Sequence, residues 1–220
     1  MGRSFIFSES GRWIQPVIMY VQLPPDHGAM PEAANWLYSL VAARDPRSLM
    51  VWQRVAGLLH PDEEDFKDTL QGIYYYIDAI CQGAERLGSR EAASVLLKLH
   101  SIPVLRRQTC KTGAQADYFL KRRSMLELAV GRALARSGSK EGYEILSDYL
   151  DDSRSLLSRG ALLELRRLSG KRYGKSAEVW REWLQLREKS LAPQPLTLSL
   201  DIEHNSEEML RCLDHPQSLA

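Results

Sequence analysis

Apolar residues recur at helical spacing through most of the chain, and one such pattern occurs twice, fifty positions apart. The first copy spans 77–100, IDAICQGAERLGSREAASVLLKLH. The second spans 127–150, ELAVGRALARSGSKEGYEILSDYL. Superposed, they coincide at Ala79/Ala129, Arg86/Arg136, Gly88/Gly138, Ser89/Ser139, Glu91/Glu141 and Leu96/Leu146. Gly88 and Gly138 suit the left-handed conformation that closes a helix. Ser89 and Ser139 are then expected to cap the next helix by accepting from its free amides, with Glu91 and Glu141 favourable in its first turn. Val95, Leu96 and Leu99, matched by Ile145, Leu146, Tyr149 and Leu150, give each second helix an apolar stripe. A repeated helical hairpin that cannot bury its apolar face alone predicts stacked helix pairs, an α-solenoid.

The rest of the chain falls around this unit. Residues 4–23 are aromatic and β-branched, broken by Pro16, and read as two short strands or an extended arm; LPPDHG is a turn or linker. The expected boundaries are an arm over 1–28, a helical-repeat domain over 29–190 and a loosely attached tail over 191–220. Pro31 opens a helix with Ala34, Leu37, Leu40 and Val41 on one face with Trp36, and Asp45-Pro46 ends it. A second helix starts near Arg47 and carries Leu49, Val51, Trp52, Val55 and Leu58. The acidic run DEEDFKD opens a third, predicted to continue to Leu87 with GIYYYIDAI as its buried centre. Pro103 closes the first copy. The loop that follows, roughly 104–115, is long for a helical connection and reads as a functional or mobile insertion. A helix over 117–137 holds Lys121, Arg122 and Arg123. Asp151, Asp152 and Ser153 are expected to cap a helix that ends at Gly170. Gly174, Lys175 and Ser176 are expected to start the last one, whose Trp180 and Trp183 share a face and seal the core.

Composition changes this picture little: 220 residues, 44% hydrophobic and 26% charged, suit one soluble globular core. No apolar run approaches the ~18 residues that span a membrane. The start lacks a secretory signal; Gly2 resembles a myristoylation site, but position 6 is Ile. Cys81, Cys110 and Cys212 imply no disulfide framework, so a reducing compartment, the cytoplasm, is expected. Charge is uneven: residues 1–85 carry 6 Lys/Arg against 11 Asp/Glu (net −5), 86–190 carry 22 against 12 (+10), and 191–220 carry 1 against 5 (−4). Such asymmetry suits either an anion-binding face or segments that neutralise one another.

The chain contains no dinucleotide, Walker, nucleophile-elbow, zincin or paired-cysteine motif. Its five histidines, His27, His60, His100, His204 and His215, have no partner at metal-ligand spacing and read as surface or capping residues. Cys110, between Arg107 and Lys111, is a conceivable reactive thiol without a recognisable base. Glu63, Glu64, Asp65 and Asp68 lack the turn glycine of a calcium loop. No cofactor, metal or catalytic residue is expected. The candidate anion or partner surface is Arg106, Arg107, Lys111, Lys121, Arg122 and Arg123. A second basic cluster comprises Arg166, Arg167, Lys171, Arg172 and Lys175. The aromatics sit in helix interiors and do not interleave with basic residues as in single-strand binders. Charge reversal at Arg122 and Arg123 is expected to leave the fold intact.

The junctions LGSREAA and SGSKEGYEIL, with the ending LSGKRYGKSAEVWREWL, resemble HEAT-type repeats, particularly the bacterial phycocyanobilin-lyase-type repeat, over about residues 70–186. The stretches NWLYSLVAARDPRSLMVWQRVAGLL, GIYYYIDAICQGAERLGS and SMLELAVGRALARSGS are similar to the C-terminal region of bacterial FAD-dependent oxidoreductases. That resemblance implies the helical region that follows a flavin domain, with the arm as the last piece of that domain. The glycine fingerprint for the dinucleotide is absent, so no flavin-binding residue carries over. The expectation is an all-α, non-catalytic interaction or scaffold module with a protein partner. The alternatives are a nucleic-acid-binding repeat protein using the basic loops, and an enzyme with a site built from unfamiliar positions.

Overall fold

The structure, a computed structural model, describes residues 6–7, 13–14, 32–62, 72–112 and 118–197. The chain divides into two units, 28–196 and 1–27 with 197–220. In the smaller unit, Ile6–Phe7 and Trp13–Ile14 pair antiparallel, Ile6 opposite Ile14 and Phe7 opposite Trp13. What the rest of the expected arm packs against lies outside the described residues.

The larger unit is all-α, with eight α-helices among the described residues: α1 Glu32–Ala43, α2 Ser48–Leu58, α3 Ile73–Leu87, α4 Ala92–His100, α5 Tyr118–Arg136, α6 Lys140–Asp148, α7 Ser155–Ser169 and α8 Ala177–Arg187. They form two layers. Helices α1, α3, α5 and α7 pack side by side in that order. Over them, α2 packs on α4 and α6 on α8, while α4 and α6 are not in close contact and lie instead against α5. The core runs between the layers through Trp52, Ile77, Ile80, Leu96, Leu99, Leu126, Leu134, Tyr143, Leu146, Tyr149 and Trp180, all fully buried.

The repeated junction forms for the reason its glycines suggested. Gly88 and Gly138 are left-handed, φ +54° and +79°, and Gly170 ends α7 likewise at φ +68°. The serines behave differently from expectation. Neither caps its helix through its side chain; the Ser139 hydroxyl donates to the Glu141 carboxylate instead. Asp152 also departs from its predicted capping role, because Cys110 and Arg154 occupy its oxygens. Ser176 does cap α8, accepting from the Val179 amide. The α5–α6 hairpin closes through glycine: a methyl group at Gly142 would run into the Ala135 backbone and, at 2.7 Å, the Gly131 carbonyl.

Three further expectations are corrected. The third helix is not one run from the acidic segment, because Gly72 is left-handed at φ +70° and α3 begins at Ile73. Trp36 is 69% exposed and Leu58 74%, so α1 and α2 bury a narrower stripe than predicted: Ala34, Leu37 and Val41 on one, Trp52 and Ala56 on the other.

Most consequentially, residues 191–196 are not loosely attached. They form an extended strap across the carboxyl ends of α3, α5 and α7. The Gln194 amide donates to the Arg136 carbonyl and the Leu196 amide to the Glu85 carbonyl, both at 2.7 Å. Gln194 Nε2 reaches the Leu168 carbonyl at 2.9 Å, and Arg90 holds the Leu191 carbonyl at 2.9 Å. Pro193 lies against Gly138 and Pro195 against Gly88. The strap thereby satisfies carbonyls that helix ends leave without partners. Residues 198–220 of the expected tail lie outside the described residues.

Candidate functional site

The gap between α4 and α6 is filled at its floor by the loop after α4 and is otherwise open, a groove of about 470 Å³. Leu97, His100 and Ser101 form one side and Glu141, Glu144, Ile145 and Asp148 the other. Arg106, Arg107 and Thr109 rise from the loop, and Glu127 and Tyr149 lie beneath.

Of the two readings of the loop, functional or mobile, the second does not hold for the described part, up to Thr112, which is tied down at two carboxylates. Glu127 on α5 accepts from the Arg107 and Gln108 amides, each at 2.7 Å, and from the Tyr149 hydroxyl at 2.8 Å. His100 Nε2 sits 3.3 Å from Glu127 Oε1. Burial works to raise the Glu127 pKa, but these hydrogen bonds outweigh it and hold the carboxyl below its usual range. Asp152 does the same further along, accepting from the Cys110 amide at 2.9 Å and from Arg154 at 2.6–2.9 Å. Arg154 in turn donates to the Gln108 carbonyl and the Ser124 hydroxyl, both at 2.7 Å. Arg107 is held at φ +59°, a conformation a non-glycine residue adopts at some cost.

The six basic candidates do not share one surface. Arg106 and Arg107 are exposed on the groove rim, and their guanidinium groups have no ion-pair partner among the described residues. Lys111 is exposed on the same loop. Lys121 and Arg123 are half-buried on α5. Arg122 is a correction: it is 6% exposed, its guanidinium 4.5 Å from the centre of the Tyr74 ring, and it bridges α5 to α3. A residue spent on helix packing cannot also face an anion. Of the second cluster, Arg166 is turned to the Tyr173 carbonyl and Lys175 to the Ser158 hydroxyl.

A row of buried polar groups along α3, α5 and α7 escaped the sequence reading. Asp78 accepts from the Tyr38 hydroxyl at 2.6 Å and from Gln82 at 2.7 Å, and burial raises its pKa to about 7. Glu85, also pushed up by burial, pairs with Arg132 at 3.0 Å, and Arg136 pairs with Glu164 at 2.6 Å. The available signal was spacing: Asp78 and Glu85 are seven apart, in phase with the apolar stripe rather than the solvent face.

The groove groups are committed to structural contacts. Glu127 is saturated as an acceptor, Tyr149 is buried with its pKa pushed up by burial, and the Cys110 thiol donates to the Thr112 carbonyl at 3.0 Å with no base beside it. Among the described residues no cluster of His, Cys, Asp and Glu could hold a metal ion, and no helix is long and apolar enough to cross a membrane. The acidic run 63–68 and His27, His204 and His215 lie outside the described residues. No protein-family model, curated protein or solved structure matches the chain.

Proposed function

We propose that this chain is a non-catalytic interaction module of the HEAT-like α-solenoid type, cytoplasmic, serving as the C-terminal accessory region of an FAD-dependent oxidoreductase. The repeated glycine junction and the two-layer order of helices support the repeat reading, and the resemblance of the three helical stretches supports the oxidoreductase context. The observation that carries the interaction role is the open α4–α6 groove, whose floor is rigidly hydrogen-bonded and whose arginines stand unpaired. A preorganised surface loses little conformational freedom when a partner binds. On this reading the purified chain mixed with FAD and passed through gel filtration carries no stoichiometric flavin absorbance. A stoichiometric spectrum overturns the non-catalytic assignment.

The unpaired Arg106 and Arg107, with Lys111 beside them, favour nucleic-acid binding as a second reading. The burial of Arg122 and the carboxylates of Glu141, Glu144 and Asp148 across the groove weigh against it.

A further inference from the structure

We infer that the α4–α6 groove takes an extended protein segment of low net charge, anchored by one acidic side chain on Arg106 and Arg107. The inference rests on the interaction-module reading and names the chemistry of its partner. Arg106 and Arg107 are both exposed, line the groove and have no ion-pair partner among the described residues, so each guanidinium is available for charge-assisted hydrogen bonds to a carboxylate. Their backbone is already fixed: both oxygens of Glu127 hold the Arg107 and Gln108 amides, so little conformational freedom is lost on binding.

The opposite wall decides between peptide and polyphosphate. Glu141 has no ion-pair partner among the described residues and keeps negative charge on that side, whereas Glu144 and Asp148 are answered by Lys140 at 3.7 Å and Arg181 at 2.7 Å. A nucleic-acid backbone, with a charge at every nucleotide, is repelled along that wall; a segment with one carboxylate is not. Leu97, 39% exposed at the rim, offers apolar contact to the residue next to the anchor.

The test is to pan a random-peptide phage library on the full chain and on an R106E/R107E variant shown to be folded by circular dichroism. The strongest enriched peptide is then synthesised and titrated, with R159E, a reversal on an exposed residue outside the groove, as control. The expected result is enrichment of peptides with a shared Asp or Glu, at least tenfold weaker binding to R106E/R107E, unchanged binding to R159E, and no competition by a single-stranded oligonucleotide. Peptides without an acidic preference, or bound equally by R106E/R107E, overturn this site while leaving the interaction module standing. Absence of any enriched peptide overturns the groove as a peptide site. Competition by the oligonucleotide at micromolar concentration overturns the peptide in favour of nucleic acid. Flavin binding, the separate criterion for the non-catalytic reading, is untouched by any of these outcomes.

Discussion

Asp78 and Glu127 are both buried carboxyl groups, and their surroundings drive them in opposite directions. Asp78 has two donors, the Tyr38 hydroxyl and Gln82, too few to offset burial, so its pKa rises to about 7. A carboxyl whose folded pKa lies above its unfolded value of about 4 stabilises the fold below that value, and the contribution is lost as pH rises through the folded pKa. Between about pH 4 and pH 7 the wild type is therefore expected to lose stability relative to Asp78→Asn, by up to about 1.4 kcal/mol per pH unit. Urea titrations at several pH values measure both slopes; parallel curves would mean that Asp78 is ionised throughout. Glu127, with two backbone amides and two side-chain contacts, stays charged. Glu127→Gln turns an amide donor toward the Arg107 or Gln108 N–H and is predicted to cost about 2–3 kcal/mol. Faster hydrogen exchange at those two amides should accompany it. None of this could be read from the sequence around Glu127, because its partners are backbone groups twenty residues away.

At the scale of elements, legibility followed how local the physics is. Gly88, Gly138 and the stripes of α4 and α6 were readable because a positive φ and a 3.6-residue period are properties of a few neighbouring residues. The strap was not. Pro193 and Pro195 alternate with Gln194 and Leu196, whose amides donate to helix ends far away in sequence. The six basic candidates were grouped by proximity in sequence, which cannot say that Arg122 turns inward to Tyr74. Gly138→Ala combines both lessons. A side chain there is strained at φ +79° and meets Ala192 and Pro193 of the strap at 3.1 Å. It is expected to destabilise by about 1 kcal/mol or more, and a neutral result in urea unfolding would show that the junction relaxes without cost.

For the molecule as a whole, the question is whether a central segment of net charge +10 behaves as a polycation. The pairs Arg136–Glu164, Arg154–Asp152, Lys140–Glu188 and Arg181–Asp148 use acids already counted in that total, and Arg132 is answered from outside the segment by Glu85. The excess is nevertheless not gathered on one face, since Arg122 is buried and carboxylates line the groove opposite Arg106 and Arg107, so duplex or single-stranded oligonucleotides are expected to bind no tighter than non-specifically, about 10⁻⁴–10⁻⁶ M at physiological salt. Reversal at two positions separates the roles of the basic residues. Arg106→Glu lies on an exposed rim and should leave unfolding unchanged within about 0.5 kcal/mol. Arg122→Glu removes the stack on Tyr74 and places a carboxylate where 6% of the residue reaches water, which should cost about 3 kcal/mol or more. A submicromolar nucleic-acid complex at physiological salt, lost on Arg106→Glu while the fold persists, would transfer the groove to the nucleic-acid reading. Equal unfolding of the two variants would instead place Arg122 at the surface.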